Sequence, residues 1–145
     1  MTEKEFDERR LALGRYRSTF GRLTRVAEDL RRWREIARSV PRPSPDRRGP
    51  QDPCGGLAQV VATIDELEQQ AAHLAALACR QRERLLCCVA LIPNERQRDL
   101  LERLYLNGQT QERVAGDWGV SRSTVRRIHL AAVAAMARSS DFFSG

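Results

Sequence analysis

The chain has 145 residues, 30% of them charged and 41% hydrophobic, with a net charge of +6 and an isoelectric point near 9.9. That length suits one modest domain with an extension, and the basic balance favours an anionic partner. The opening MTEKEFDERR is too charged for a signal peptide, and the longest apolar run, Leu85 to Ile92, is too short to span a bilayer. A cytoplasmic protein with no membrane partner is therefore expected.

Residues 1–40 read as one long helix. Phe6, Leu13, Phe20 and Ala27 form one heptad row, and Tyr16, Leu23, Leu30 and Ala37 form a second. Such a seam wants a partner helix. Gly14 and Gly21 weaken it, by about 1 kcal/mol each relative to alanine. The arginines fall mostly off the seam, on a solvated face.

Residues 41–56 read as a linker. Together with Val40 they spell VPRPSPDRRGPQDPCGG, which holds five of the six prolines and three of the nine glycines. Prolines at this density stop a helix and favour an extended chain. Residues 57–92 then form a second long helix. Its rows are Leu57, Ile64, Ala71, Ala78, Leu85, Ile92 and Val60, Leu67, Leu74, Gln81, Cys88. The linker is long enough for the two helices to pair within one chain, and equally for a second copy to supply the partner, giving a homodimer. The cysteines Cys54, Cys79, Cys87 and Cys88 form no C-x-x-C pair, and His73 and His129 match no zinc spacing. The cysteines read as small buried or half-buried hydrophobes in a reducing compartment, and no metal site or cofactor is called for.

Residues 93–138 read as a three-helix domain, followed by a tail at 139–145. Pro93 ends the second long helix, and Asn94 caps a short one, with Gln97 at the reciprocal position of a capping box. Leu100, Leu101 and Leu104 give this helix an apolar face, and Asn107-Gly108 closes it with a left-handed cap. Thr110 then caps a helix over Gln111 to Trp118. Gly119 supplies the turn, and Ser121 caps a last helix over Arg122 to Met136. Val114, Trp118, Val120, Val125 and Ile128 are spaced to share one small core across that turn, the pattern of a helix-turn-helix.

At about 100° per residue, the last helix buries Val125, Ile128, Ala132 and Met136. Ser123, Arg127 and Ala134 face the other way, with Thr124 and Arg126 on the flanks. From Trp118 to Arg138 there are four arginines and no acid. A positive helix start with short hydroxyls and arginines suits phosphates and base edges. The expected contacts to double-stranded DNA are Thr110, Gln111, Ser121, Arg122, Ser123, Thr124, Arg126 and Arg127. Among them, Arg127 is the candidate for a guanine in the major groove and Arg122 for the phosphates.

The stretch from Pro93 to His129, PNERQRDLLERLYLNGQTQERVAGDWGVSRSTVRRIH, resembles region 4 of the bacterial sigma factors. Together with the two long helices and the polar linker, it is still more similar to phage transcriptional regulators of the RinA and ArpU type. The resemblance covers residues 93 to 136 closely and the rest loosely. It implies an activator of late phage or prophage genes that binds promoter DNA, with RNA polymerase as a possible second partner. The chain departs from the pattern at Trp118, where a leucine is usual, and at Gly116, inside the first helix of the motif.

The expected fold is all-α, a long helical hairpin or coiled coil followed by a C-terminal three-helix helix-turn-helix domain. Two further function classes stay open. One is a DNA-packaging subunit like a small terminase, although there the DNA-binding module usually comes first. The other is a coiled-coil interaction protein with a degenerate helix-turn-helix. Nothing resembles a nucleophile–base pair, a metal cluster or a phosphate-cradling loop, so no catalytic residue and no enzyme is expected.

Overall fold

The structure is a computed structural model and describes residues 2–39 and 56–136. The expected linker, apart from Gly56, lies outside the described residues, as do Cys54, Arg138 and the tail at 139–145. The described residues hold six α-helices and no strand: α1 (Glu3–Leu13), α2 (Arg15–Ser39), α3 (Gly56–Ala90), α4 (Glu95–Leu101), α5 (Gln111–Trp118) and α6 (Arg122–Met136). The protein is thus all-α, with one long helix preceding a C-terminal helix-turn-helix. No described helix is long and apolar enough to cross a membrane. The chain divides into two compact units, one of residues 20–76 and one of residues 1–19 with 77–145.

The first helix of the chain is not continuous. Gly14 separates α1 from α2 with ψ at −3°, well short of the helical value. A heptad row drawn through Gly14 presumes an unbroken helix, and here the presumption fails. In the unit of residues 20–76, Phe20 is 40% exposed and Ala27 is also exposed. The side that α2 turns inward carries Leu23, Val26, Leu30, Trp33 and Ala37 instead. One predicted row therefore holds, and Val26 and Trp33 take the place of Phe20 and Ala27.

Within that unit α2 and α3 run antiparallel. Arg34 donates to Glu68 at 3.0 Å, while Arg22, Arg25 and Val26 lie beside Gln70, His73 and Leu74. Val60 and Leu74 are buried on α3, with Ile64, Leu67 and Ala71 half-buried between them. Leu57, expected on the seam, is 41% exposed.

The other unit has two apolar clusters. The first joins Ala12 and Leu13 of α1, Leu85 and Val89 of α3, Ile92, Leu101, Tyr105, and Ala132, Val133 and Met136 of α6. The second is the helix-turn-helix core: Leu100, Val114, Ala115 and Val125, with Leu104, Trp118, Val120 and Ile128 packed against it. So α1 forms part of the C-terminal unit's core, a placement its heptad pattern did not suggest. Cys79 and Cys87 are exposed rather than buried, and Cys88 is half-buried.

Local chemistry explains the boundaries. After α3 the chain turns at Leu91 and Ile92, and Arg98 donates to the carbonyls of Ile92 at 2.6 Å and Pro93 at 3.1 Å. Those are carbonyls that no further helical turn satisfies. Asn94 caps α4 by accepting from the Gln97 amide at 3.1 Å. The helix then widens into a π-turn over Glu102–Leu106, in which the Asn107 amide donates to the Glu102 carbonyl at 3.0 Å. Gly108 follows with φ at +70°. Glycine suits that left-handed conformation, and a Cβ there would also displace the Arg17 guanidinium.

Candidate nucleic-acid interface

The helix-turn-helix is assembled by three local devices. Thr110 accepts from the Arg113 amide at 3.1 Å and fixes the start of α5. Gly119 adopts the left-handed conformation, φ 66° and ψ 34°. Around it the Val120 amide donates to the Ala115 carbonyl at 3.0 Å and the Gly119 amide to Gly116 at 3.3 Å. This paired pattern is a Schellman termination, which satisfies the last carbonyls of α5 and aims the chain into α6. Ser121 then caps α6 by accepting from the Thr124 amide at 3.2 Å.

Trp118 fits the turn. It lies half-buried against the second cluster with the Arg96 guanidinium 4.7 Å from its ring centroid, a cation–π contact. Arg103 fastens the same corner. It donates to Asp99 at 3.1 Å and to Asp117 at 3.2 Å, linking the π-turn to α4 and to the end of α5. Gly116 faces open space, so its missing side chain costs nothing in packing.

The expected contact residues divide into four groups. Arg122, Ser123, Arg126 and Arg127 are exposed, and their side chains bond to no described residue. Their donors are free for a ligand. Ser121 and Thr124 are engaged with each other, hydroxyl to hydroxyl at 2.9 Å, and serve the start of the helix. Thr110 is exposed, with its hydroxyl used as a cap.

Gln111 is not free as those arginines are. Its amide turns inward to the His129 imidazole at 3.2 Å. The reason is that His129, on α6, is buried to 3% exposure and its nitrogens need partners. The Tyr105 hydroxyl meets Nε2 at 2.6 Å, and the Phe6 ring from α1 stands edge-on at 5.6 Å. With Gln111 donating to Nδ1, the Nε2–H donates to the Tyr105 oxygen. Burial, and secondarily the charge of Arg10, lowers the His129 pKa from 6.5 to about 4, so the ring is neutral. Burial pushes the Tyr105 phenol up to about 12.

Sequence reasoning set His129 aside as no metal ligand and left His129 and Val133 off the buried face of α6. Counting them, the buried stripe is Val125, His129, Ala132, Val133 and Met136, with Ile128 half-buried at its edge. The opposite side carries Ser123, Arg126, Arg127, Leu130 and Ala134, all exposed.

Residues 94–137 match the family model for sigma-70, region 4. The C-terminal part of this chain is a sigma region 4-like helix-turn-helix, a DNA-binding module. The match takes in α4, α5 and α6 and none of the helices before them. No curated protein matches the chain, and no solved structure does.

Proposed function

We propose that the protein is a sequence-specific transcription regulator that reads double-stranded DNA with α6 in the major groove, of the phage or prophage late-gene activator type. The observation that carries the reading is the solvent face of α6. It presents Arg122, Ser123, Arg126 and Arg127 unengaged, and no acid occurs from Trp118 through Met136. A solvated helix on a globular surface ordinarily interleaves both signs of charge. Here the arginine forks are left for phosphates and guanine edges. The phage assignment rests on the layout of long helices ahead of a sigma-like module.

Arg127 lies about 200° around the helix from Val125 and points most directly away from the core. We assign it the base contact, Arg122 the phosphates at the start of the helix, and Arg126 the groove wall. The test is selection of bound sites from random DNA. Wild type is expected to return a consensus, with half-sites spaced by about one helical turn of DNA if the regulator acts as a dimer. Arg127→Ala is expected to relax one base pair at a cost of about 1–3 kcal/mol. Arg122→Ala is expected to weaken all sequences alike. No enrichment from wild type would remove DNA reading, and an unchanged consensus with Arg127→Ala would show that the helix docks otherwise. Transcription from the selected site by purified polymerase, with and without the protein, tests activation.

A further inference from the structure

Leu130 is a large apolar side chain that the fold leaves 49% exposed in the middle of α6. It lies about 140° around the helix from Val125, between Arg126 at about 100° and Arg127 at about 200°. Ser123, two turns earlier, is at about 160° on the same strip. Leu130 therefore continues the strip of free arginines, one turn beyond them along the helix.

The apolar groove beside α6 does not account for it. That groove is lined by Cys88, Leu91, Ile92, Ala131, Ala134 and Met136 among others, and Leu130 is not part of its wall. A leucine on the same strip as two unengaged arginines, on a helix with no acid, suits an anionic surface that also offers an apolar feature. Duplex DNA has one such feature in the major groove, the thymine 5-methyl group. A second protein surface that brought an apolar patch to this spot would have to bury Arg126 and Arg127 or supply acids for both.

We propose that Leu130 is a specificity-determining residue that packs against a thymine methyl, reading an A·T pair next to the base pair contacted by Arg127. This rests on the reading of α6 as the DNA-reading helix. The arginines fix a guanine through hydrogen bonds, and Leu130 would reject cytosine, which offers no methyl at that position.

The experiment compares thymine with uracil, which lacks only that methyl. Sites selected by the wild-type protein are resynthesised with uracil at each thymine in turn, and affinity is measured for wild type and for Leu130→Ala. The wild-type protein is expected to lose about fourfold at one thymine, the factor that burial of one methyl carries. Leu130→Ala is expected to bind the thymine and uracil forms of that site alike while keeping the guanine preference set by Arg127. A wild-type protein indifferent to every uracil overturns the proposal, as does a variant that keeps the wild-type response. If Leu130→Ala changes the oligomeric state and leaves the thymine response intact, the side chain belongs to a protein interface instead. Failure of wild type to select any site is a different result, and it would sink the DNA-reading assignment itself. Unfolding of Leu130→Ala is not expected, since the side chain is half in water, and Leu130→Met serves as a second variant that keeps apolar bulk and should keep the response.

Discussion

The buried histidine makes a quantitative prediction about acid stability. In the folded protein His129 has a pKa of about 4, against 6.5 for a solvated imidazole. As pH falls the unfolded chain binds the proton first, so the folded state loses stability through the window from 6.5 down to 4 and no further from this group below it. Linkage puts the loss on the order of 1 kcal/mol as the pH falls through the unfolded imidazole's range, and on the order of 2–3 kcal/mol by the folded value. The physical cause is local. Protonation would place a charge among Tyr105, Phe6 and the first apolar cluster, and Nδ1 would lose the lone pair that accepts from Gln111. The assay is urea unfolding across that pH range for wild type and His129→Gln. The variant is expected to be less stable at neutral pH and to lose most of the dependence, while His73 is present in both and cancels. Parallel pH profiles for the two proteins would refute the assignment of a neutral, buried imidazole.

Three further outcomes follow from the packing. Gly116→Ala is expected to raise stability by about 0.5–1 kcal/mol, because a Cβ there meets nothing within 4 Å; a lower melting temperature would show that α5 needs the glycine for another reason. Leu67→Asp is expected to cost on the order of 1–3 kcal/mol, since Leu67 is half-buried on the side of α3 that carries Val60 and Leu74; an unchanged circular-dichroism melt would rule out pairing along that seam. Leu13→Ala is expected to cost about 2–5 kcal/mol although Leu13 lies far from the sigma-like stretch in sequence, because it is 1% exposed in the first cluster; near-neutral stability would mean that α1 does not dock.

Legibility in the sequence followed the range of the interaction. The caps at Asn94, Thr110 and Ser121 and the turn at Gly119 each depend on atoms within a few residues, and the residue types alone announce them. The free arginines of α6 were legible for the same reason, since helical geometry alone turns Arg127 away from Val125. What was hidden needed distant partners. Gln111 reads as an exposed polar residue at a helix start until His129 and Tyr105 are found beneath it, and Tyr105 reaches them from a π-turn that no residue type signals. One row of the α2 seam departs from the periodicity for a local reason. The periodicity is real, but Gly14 interrupts the helix that was to carry it.

The two clusters bear on the reading role proposed for α6. Its N-terminal half is held by the second cluster through Val125 and Ile128, and its C-terminal half by the first through Ala132, Val133 and Met136. A bundle of α4, α5 and α6 alone would leave the C-terminal half of α6 without the apolar surface that Leu13, Leu85 and Val89 provide. Held along both halves and pinned between them by His129, the helix presents Ser123, Arg126, Arg127 and Leu130 on one strip with its backbone already ordered. An interface whose backbone is ordered beforehand loses less entropy on binding, so more of the contact energy is available to separate one base sequence from another. On the proposed reading of α6, the N-terminal helix supports recognition by holding in place the helix assigned to the DNA.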